Sequence, residues 1–191
     1  MIINGKELLV QSPIKDMQPR KVISQGMTYG LGEAGYDIRI KQSIEFVGGY
    51  ILVNDGYYDV GKFCLASAIE EFDMPNDLVG IVHDKSSWAR KGLSVFNTVI
   101  ESGWKGFLTL ELVYHGNGSL YIPAGSPIAQ VVFHKTACKS SYNGRYQNQG
   151  DEPTPAKEAR EVEKFEEENK ECICVEPYLR CDAHDNEQNC C

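Results

Sequence analysis

Four segments of the chain, all between Gly30 and Gly150, are dense in side chains that bind phosphate, orient a ring or move a proton. In Asp84-Lys85-Ser86-Ser87-Trp88-Ala89-Arg90-Lys91-Gly92, two hydroxyls open a helical turn and a guanidinium follows one turn later. The first backbone N–H groups of a helix have no intrahelical partner and point outward, so the pattern suits a polyphosphate. Taken alone it reads equally well as a capped surface helix. The stretch from Asn97 to Leu112 adds two carboxylates, Glu101 at a turn between strands and Glu111 inside an otherwise apolar strand. Side chains alternate along a strand, so Thr109, Glu111 and Val113 share one face while Leu108, Leu110 and Leu112 share the other. With the leucines in the core, Glu111 looks into whatever lies opposite. Partial desolvation there raises its proton affinity and makes it a candidate general base or acid near neutral pH, whereas on an open face it is only a solvated glutamate. Gly30 to Arg39 runs flexible glycines into a strand that opens Tyr36-Asp37. Ser126 to Phe133, followed by Tyr142-Asn143-Gly144-Arg145-Tyr146-Gln147-Asn148-Gln149-Gly150, ends in a polar, aromatic segment that reads as a closing arm.

The elements that must position these residues are short strands. Tyr36 to Ile40, Ser43 to Phe46, Tyr50 to Val53, Phe63 to Ser67, Leu78 to Val82, Leu93 to Phe96, Phe107 to Tyr114, Leu120 to Ile122 and Ala129 to His134 are rich in β-branched, aromatic and leucine side chains. Gly48-Gly49, Asn54-Asp55-Gly56, Pro75-Asn76-Asp77, Gly116-Asn117-Gly118 and Pro123-Ala124-Gly125 break them at short intervals. The spacing predicts an all-β barrel or sandwich. A single short helix is expected at the Ser86-Ser87 pair, with serine as its cap and Gly92 as its stop. No internal repeat is visible.

The chain has 191 residues with 19 basic and 27 acidic side chains, a net charge of −8. Fourteen basic and fourteen acidic residues fall in 1–150, so that body is neutral by count and the whole excess lies in 151–191. The balance excludes a basic coat for nucleic acid or for an anionic membrane. No apolar run is long enough to span a bilayer and no leader sequence opens the chain, so a cytoplasmic location is expected. Cys64 and Cys138 are the body cysteines, and buried thiols in a reducing compartment fit them. The tail holds Cys172, Cys174, Cys181, His184, Cys190 and Cys191, whose spacing matches no standard zinc knuckle. A body of 1–150 and an acidic, Cys-rich tail of 151–191, helical or disordered over Ala156 to Lys170, is the expected organisation.

Taken together, the ordered motifs resemble the dUTPase-like superfamily, and most closely its dCTP deaminase branch. Ala34-Gly35-Tyr36-Asp37-Ile38-Arg39 is similar to the opening motif, and Lys85-Ser86-Ser87-Trp88-Ala89-Arg90-Lys91-Gly92 to the Arg-Ser-Ser-Leu-Ala-Arg-x-Gly phosphate motif. Gly103-Trp104-Lys105-Gly106 with Thr109-Leu110-Glu111-Leu112 resembles the strand of the deaminase glutamate. Pro127-Ile128-Ala129-Gln130 and Arg145-Tyr146-Gln147-Asn148-Gln149 are similar to the last two motifs. The resemblance implies a distorted β-barrel of the β-clip type with short helices, assembled as a homotrimer whose sites bind a deoxynucleoside triphosphate with Mg²⁺. It implies that Glu111 deprotonates the water that attacks C4 of cytosine. It further implies that Lys85, Ser86, Ser87, Arg90, Arg145 and Gln149 hold the triphosphate, that Glu101 meets the sugar, and that Thr109 and Tyr142 lie near the nucleotide. Zinc has no part in that branch, and the chain lacks the His-x-Glu and Pro-Cys-x-x-Cys pattern of zinc deaminases. Lys85 stands where Arg is usual, and Glu101 where Asp is commoner. The short Thr98-Val99-Ile100-Glu101 turn has the length of a dUTPase turn, which keeps a dUTP diphosphatase or a bifunctional enzyme yielding dUMP as the alternative. A non-catalytic nucleotide-binding regulator is the third.

Overall fold

Alternation of apolar and polar side chains, punctuated by glycine turns, folds this sequence into sheets. A computed structural model describes residues 1–53 and 56–158. In chain order the elements are β1 (Ile2–Ile3), α1 (Gly5–Gln11), β2 (Lys21–Ser24), β3 (Met27–Leu31), β4 (Tyr36–Arg39), β5 (Ile44–Val47), β6 (Tyr50–Val53) and β7 (Gly56–Val60). They continue with β8 (Phe63–Asp73), β9 (Leu78–Asp84), α2 (Ser86–Ala89), β10 (Leu93–Val95), β11 (Val99–Ile100), β12 (Lys105–Tyr114), β13 (Leu120–Ile122) and β14 (Pro127–Lys135). All nine expected strands are present. β8 and β14 run further than the apolar pattern alone indicated, because Ile69-Glu70-Glu71 and Pro127-Ile128 carry on the extended backbone at bulged registers.

Among the described residues the strands form three antiparallel sheets. The largest runs β11-β9-β14-β4-β3-β2, with β1 also on β14; the second is β10-β12-β8, and the third is β13-β5-β6-β7. The sheets do not close into one barrel. The chain turns a corner after β4, where Ile40 bridges to Ala68 and the Lys41 N–H donates to Ser67 O at 2.8 Å, so the sheets meet at a crossing rather than at a closing seam. Tyr36, Ile38, Phe72, Val82, Leu110, Leu112 and Phe133 fill the space between, each nearly or fully buried. Burial of such side chains is worth about 1.5–3 kcal/mol apiece. Gly35, immediately before β4, lies tight against β14: a Cβ there would collide with the carbonyl oxygen of Val131.

Six elements were not legible: α1 and the strands β1, β2, β3, β7 and β11. β2 and β3 form a hairpin around Gln25 and Gly26, at φ 48° and 73°, a primed turn built without the usual Asn. α1 hides only Leu8, so its seven residues carry almost no apolar period. The compact body runs from Met1 to Pro155, five residues beyond the expected boundary at 150. The cause is local: Lys41 Nζ pairs with Asp151 Oδ2 at 2.9 Å and Glu152 Oε1 at 2.8 Å, and the Thr154 N–H donates to Thr109 Oγ1 at 3.0 Å. The expected helical run from Ala156 to Lys170 and the tail cysteines fall, beyond residue 158, outside the described residues.

Candidate active site

Glu111 lies at the centre of β12. Leu108, Leu110 and Leu112 are buried, which leaves Thr109, Glu111 and Val113 on the other face, as the alternation requires. Register places Glu111 opposite Leu65 and Thr109 opposite Ser67 on β8, and Val113 opposite Ser94 on β10. Glu111 is half-buried on this face, and burial pushes its carboxyl above the ordinary glutamate value, only partly countered by a backbone hydrogen bond. The same face carries Phe63 and Phe96, 47% and 49% exposed, with ring centroids 6.0 Å apart. A carboxylate that keeps a proton to higher pH thus stands beside exposed aromatic surface.

The serine pair sits one connection away. α2 begins after Lys85, whose extended backbone and carbonyl accept the first helical bonds, from Trp88 and Ala89 at 2.9 and 3.1 Å. The cap is therefore Lys85 rather than a serine; Ser86 and Ser87 occupy the first two helical positions, with their hydroxyls exposed. No side-chain bond caps the turn. Trp88 anchors it instead, buried and donating Nε1–H to the Pro127 carbonyl at 2.7 Å. Gly92 at φ 85° ends it, as its lack of a side chain allows. Arg90 is exposed on this turn, and Lys91 lies over the Trp88 ring at 4.7 Å. Asp84 ties the turn to the strand beyond it by accepting the Val95 N–H at 2.7 Å.

Lys85 is the unexpected member. Its ammonium lies 2.6 Å from Asp37 Oδ2, and the two side chains are 11% and 8% exposed. Gln130 Nε2 donates to the other carboxylate oxygen at 3.3 Å. Three motifs far apart in sequence, Tyr36-Asp37, Lys85-Ser86 and Ala129-Gln130, therefore meet at one carboxylate. The sequence displayed each motif but carried no signal that they share this contact.

The arm docks along β12. Gly106, at φ 128°, pairs in parallel with Gln149, and Phe107 N–H donates to the Gln149 carbonyl at 3.1 Å. Gln149 Oε1 lies 3.5 Å from Thr109 Oγ1. Trp104 Nε1–H donates to the Tyr146 carbonyl at 2.6 Å, and the Lys105 N–H to Gln147 Oε1 at 2.8 Å. Tyr142 packs against the core, donates its N–H to Ser102 O at 2.8 Å and accepts the Tyr146 N–H on its hydroxyl. Arg145 sits 5.7 Å from the Tyr146 ring. Glu101 is exposed at the turn leading into β12, its carbonyl accepting the Trp104 N–H. The expected site residues thus form two groups: Lys85, Ser86, Ser87 and Arg90 at α2, and Glu101, Thr109, Glu111, Tyr142, Arg145 and Gln149 around β12. Sequence reasoning missed Gln42 and Ser67 beside Thr109: Gln42 Oε1 accepts the Ser67 N–H at 2.8 Å, while Gln42 Nε2 and Ser67 Oγ are buried without a protein partner.

The model of the dCTP deaminase-like family matches residues 8–136. The chain belongs to that family. It is 31% identical to a dCTP deaminase of Acidovorax sp. strain JS42 over 163 residues, 71% of this chain and 82% of the relative. It is 32% identical to one of Helicobacter pylori strain P12 over 162 residues, covering 72% and 85% of the two chains. Among solved structures, 2'-deoxycytidine 5'-triphosphate deaminase from Agrobacterium tumefaciens superposes with a TM-score of 0.50 at 17% identity, over 69% of this chain and 47% of that one, a likeness of fold. The β-clip architecture expected from the motifs is therefore present. No helix among the described residues is long and apolar enough to cross a membrane.

Proposed function

We propose that the protein is a dCTP deaminase, which converts dCTP and water to dUTP and ammonia. The observation that carries this reading is Glu111, a carboxylate whose proton affinity burial has raised, on the open face of β12 in a chain of this family. With C4 of cytosine against it, Glu111 takes a proton from water as the oxygen attacks C4. It returns the proton to the exocyclic nitrogen, and the C4–N4 bond breaks to release ammonia. A carboxylate in its ordinary range is a weaker acceptor and a poor donor at neutral pH, so partial burial serves both halves of the transfer.

The exposed hydroxyls of Ser86 and Ser87, with Arg90, are the triphosphate partners on α2, and Arg145 and Gln149 those on the arm. Glu101 meets the sugar, and Thr109 and Tyr142 lie near the nucleotide. The donor set at α2, hydroxyls and guanidinium, fits a magnesium triphosphate: Ser86, Ser87 and Arg90 would hold the phosphates, and Mg²⁺ bound with them would neutralise part of their charge. The exposed Phe63 and Phe96 beside Glu111 support a homotrimer in which a second copy covers this face, and we assign the enzyme to the cytoplasm.

The test is product identity. Incubation with dCTP and Mg²⁺ is expected to give dUTP and ammonia in equal amounts; dUMP with diphosphate would mark the bifunctional enzyme that the Glu101 turn length also allows. Binding with no product would overturn the enzymatic reading.

A further inference from the structure

We propose that Asp37 and Lys85 are positioning residues: their buried ion pair fixes the first turn of α2 for the triphosphate, and Lys85 itself does not touch phosphate. The inference rests on the reading of α2 as the triphosphate site. Its basis is the geometry of the pair. Lys85 occupies the cap position, one residue before Ser86 and Ser87, so whatever holds its side chain also holds the backbone from which both hydroxyls project. The ammonium is turned away from that exposed surface, toward Asp37 at 2.6 Å, and both groups are close to fully enclosed.

Asp37 is itself held from two sides. It lies in register with Gln130 of β14, and Gln130 lies in register with His83 of β9, so the three stand side by side across the central strands. Gln130 Nε2 donates to Asp37 Oδ1 while Lys85 takes Oδ2. β9 continues from His83 directly into α2, and the Lys85 side chain folds back across two residues to reach the β4 carboxylate. Swinging the ammonium out to a phosphate would leave a buried carboxylate with one neutral amide for company, which is strongly unfavourable. Lysine suits this geometry because one compact charge answers one oxygen and leaves the other to Gln130. The bidentate fork of an arginine would claim both.

The two roles for Lys85 predict opposite behaviour of Asp37. If the pair positions the turn, removing either partner frees the turn, and removing both does no further harm. If Lys85 binds phosphate directly, Asp37 competes for it, and its removal preserves or improves affinity. The experiment measures binding of dCTP with Mg²⁺, and of deoxycytidine, by calorimetry, alongside steady-state kinetics, for wild type, Asp37→Asn, Lys85→Met and the double variant.

Each single variant is expected to weaken dCTP binding on the order of tenfold, the double no more than the worse single. The loss falls on KM with kcat reduced less than about threefold, and deoxycytidine affinity is unmoved, which a general loss of structure would not allow. Lys85→Arg, which keeps a charge at Asp37 but takes the oxygen that Gln130 uses, recovers part of the affinity and serves where a neutral variant melts below assay temperature. Unchanged or tighter dCTP binding by Asp37→Asn, or additive losses in the double variant, overturns the proposal. If wild type binds dCTP but releases no ammonia, the deaminase reading fails while the binding cycle still decides the role of the pair. If wild type binds no dCTP, inorganic tripolyphosphate is the probe for the same four proteins, and its failure to bind wild type overturns the proposal with the site.

Discussion

Glu111 shows what a single carboxylate gives up for reactivity. Its pKa is raised by burial, so the folded protein holds this proton more tightly than the unfolded chain does. Across the window between the ordinary glutamate value and the raised one, stability falls as pH rises, and the loss persists at neutral pH. Glu111→Gln is therefore expected to raise the melting temperature at pH 7 by about a few degrees, with the gain shrinking as pH drops through the ordinary glutamate range; scanning calorimetry at pH 4 and 7 checks it. The same substitution is expected to cut ammonia release by roughly 10²–10⁴-fold or more while dCTP still binds, since a neutral amide neither takes nor gives the proton. In wild type the acid limb of kcat/KM should lie above the ordinary carboxylate range, because only ionised Glu111 accepts the proton of water. Full turnover by Glu111→Gln would remove it from the mechanism. Glu70 is raised by burial in the same direction, yet it is spent on structure: its oxygens take the Arg39 backbone and Nε donors at 2.8 Å each. A perturbed carboxylate alone does not mark a site, and what separates these two is that Glu70 is paired with Arg39, whereas Glu111 is half-buried on the face of β12 opposite the leucines and burial is the main cause of its shift.

The elements explain what could be foreseen and what could not. Alternation in Leu108-Thr109-Leu110-Glu111-Leu112 determines which way Glu111 points, and that much is written in local order. Meetings between distant strands are not local: the Asp37–Lys85 pair exists because β4, β14 and β9 are adjacent with Gln130 in register between them. The helical turn was legible, but its cap was off by one residue, because the Trp88 anchor to Pro127 and the extended Lys85 backbone, rather than a serine hydroxyl, decide where it starts. The arm was legible as polar and closing, while its seat on β12 depends on Gly106. A Cβ there would stand 2.6 Å from Gln149 N and O, at a φ few L-residues adopt. Gly106→Val is expected to leave the core folded and release the arm. Faster proteolytic nicking between residues 142 and 155, with at least severalfold weaker dCTP binding, is the anticipated result; an unchanged digestion pattern would show that the arm is held elsewhere.

At the scale of the molecule, charge and chain length divide differently. The charge boundary falls at Gly150, but the fold keeps its partners as far as Pro155: Lys41 grips Asp151 and Glu152, and Thr154 reaches Thr109 on the face of Glu111. Truncation after Pro155 is expected to leave the melting temperature unchanged. Truncation after Gly150 removes those bonds and is expected to lower the melting temperature by about a few degrees, mainly through loss of the Thr154 N–H bond to the Thr109 hydroxyl, since exposed ion pairs add little. Light scattering of the Pro155 form is expected to give the mass of three copies. Composition assigned the −8 correctly to the tail, but tertiary bonds alone show that its first acidic residues serve the body. Gly35, pressed against the Val131 carbonyl, bears on how such an enzyme can be altered. No other amino acid fits between β4 and β14 without moving one strand, and those strands bring Asp37 and Gln130 to Lys85. A library intended to retune the substrate should hold that letter constant and spend its diversity on the exposed positions around Ser87 and Arg90, where a new side chain meets solvent first.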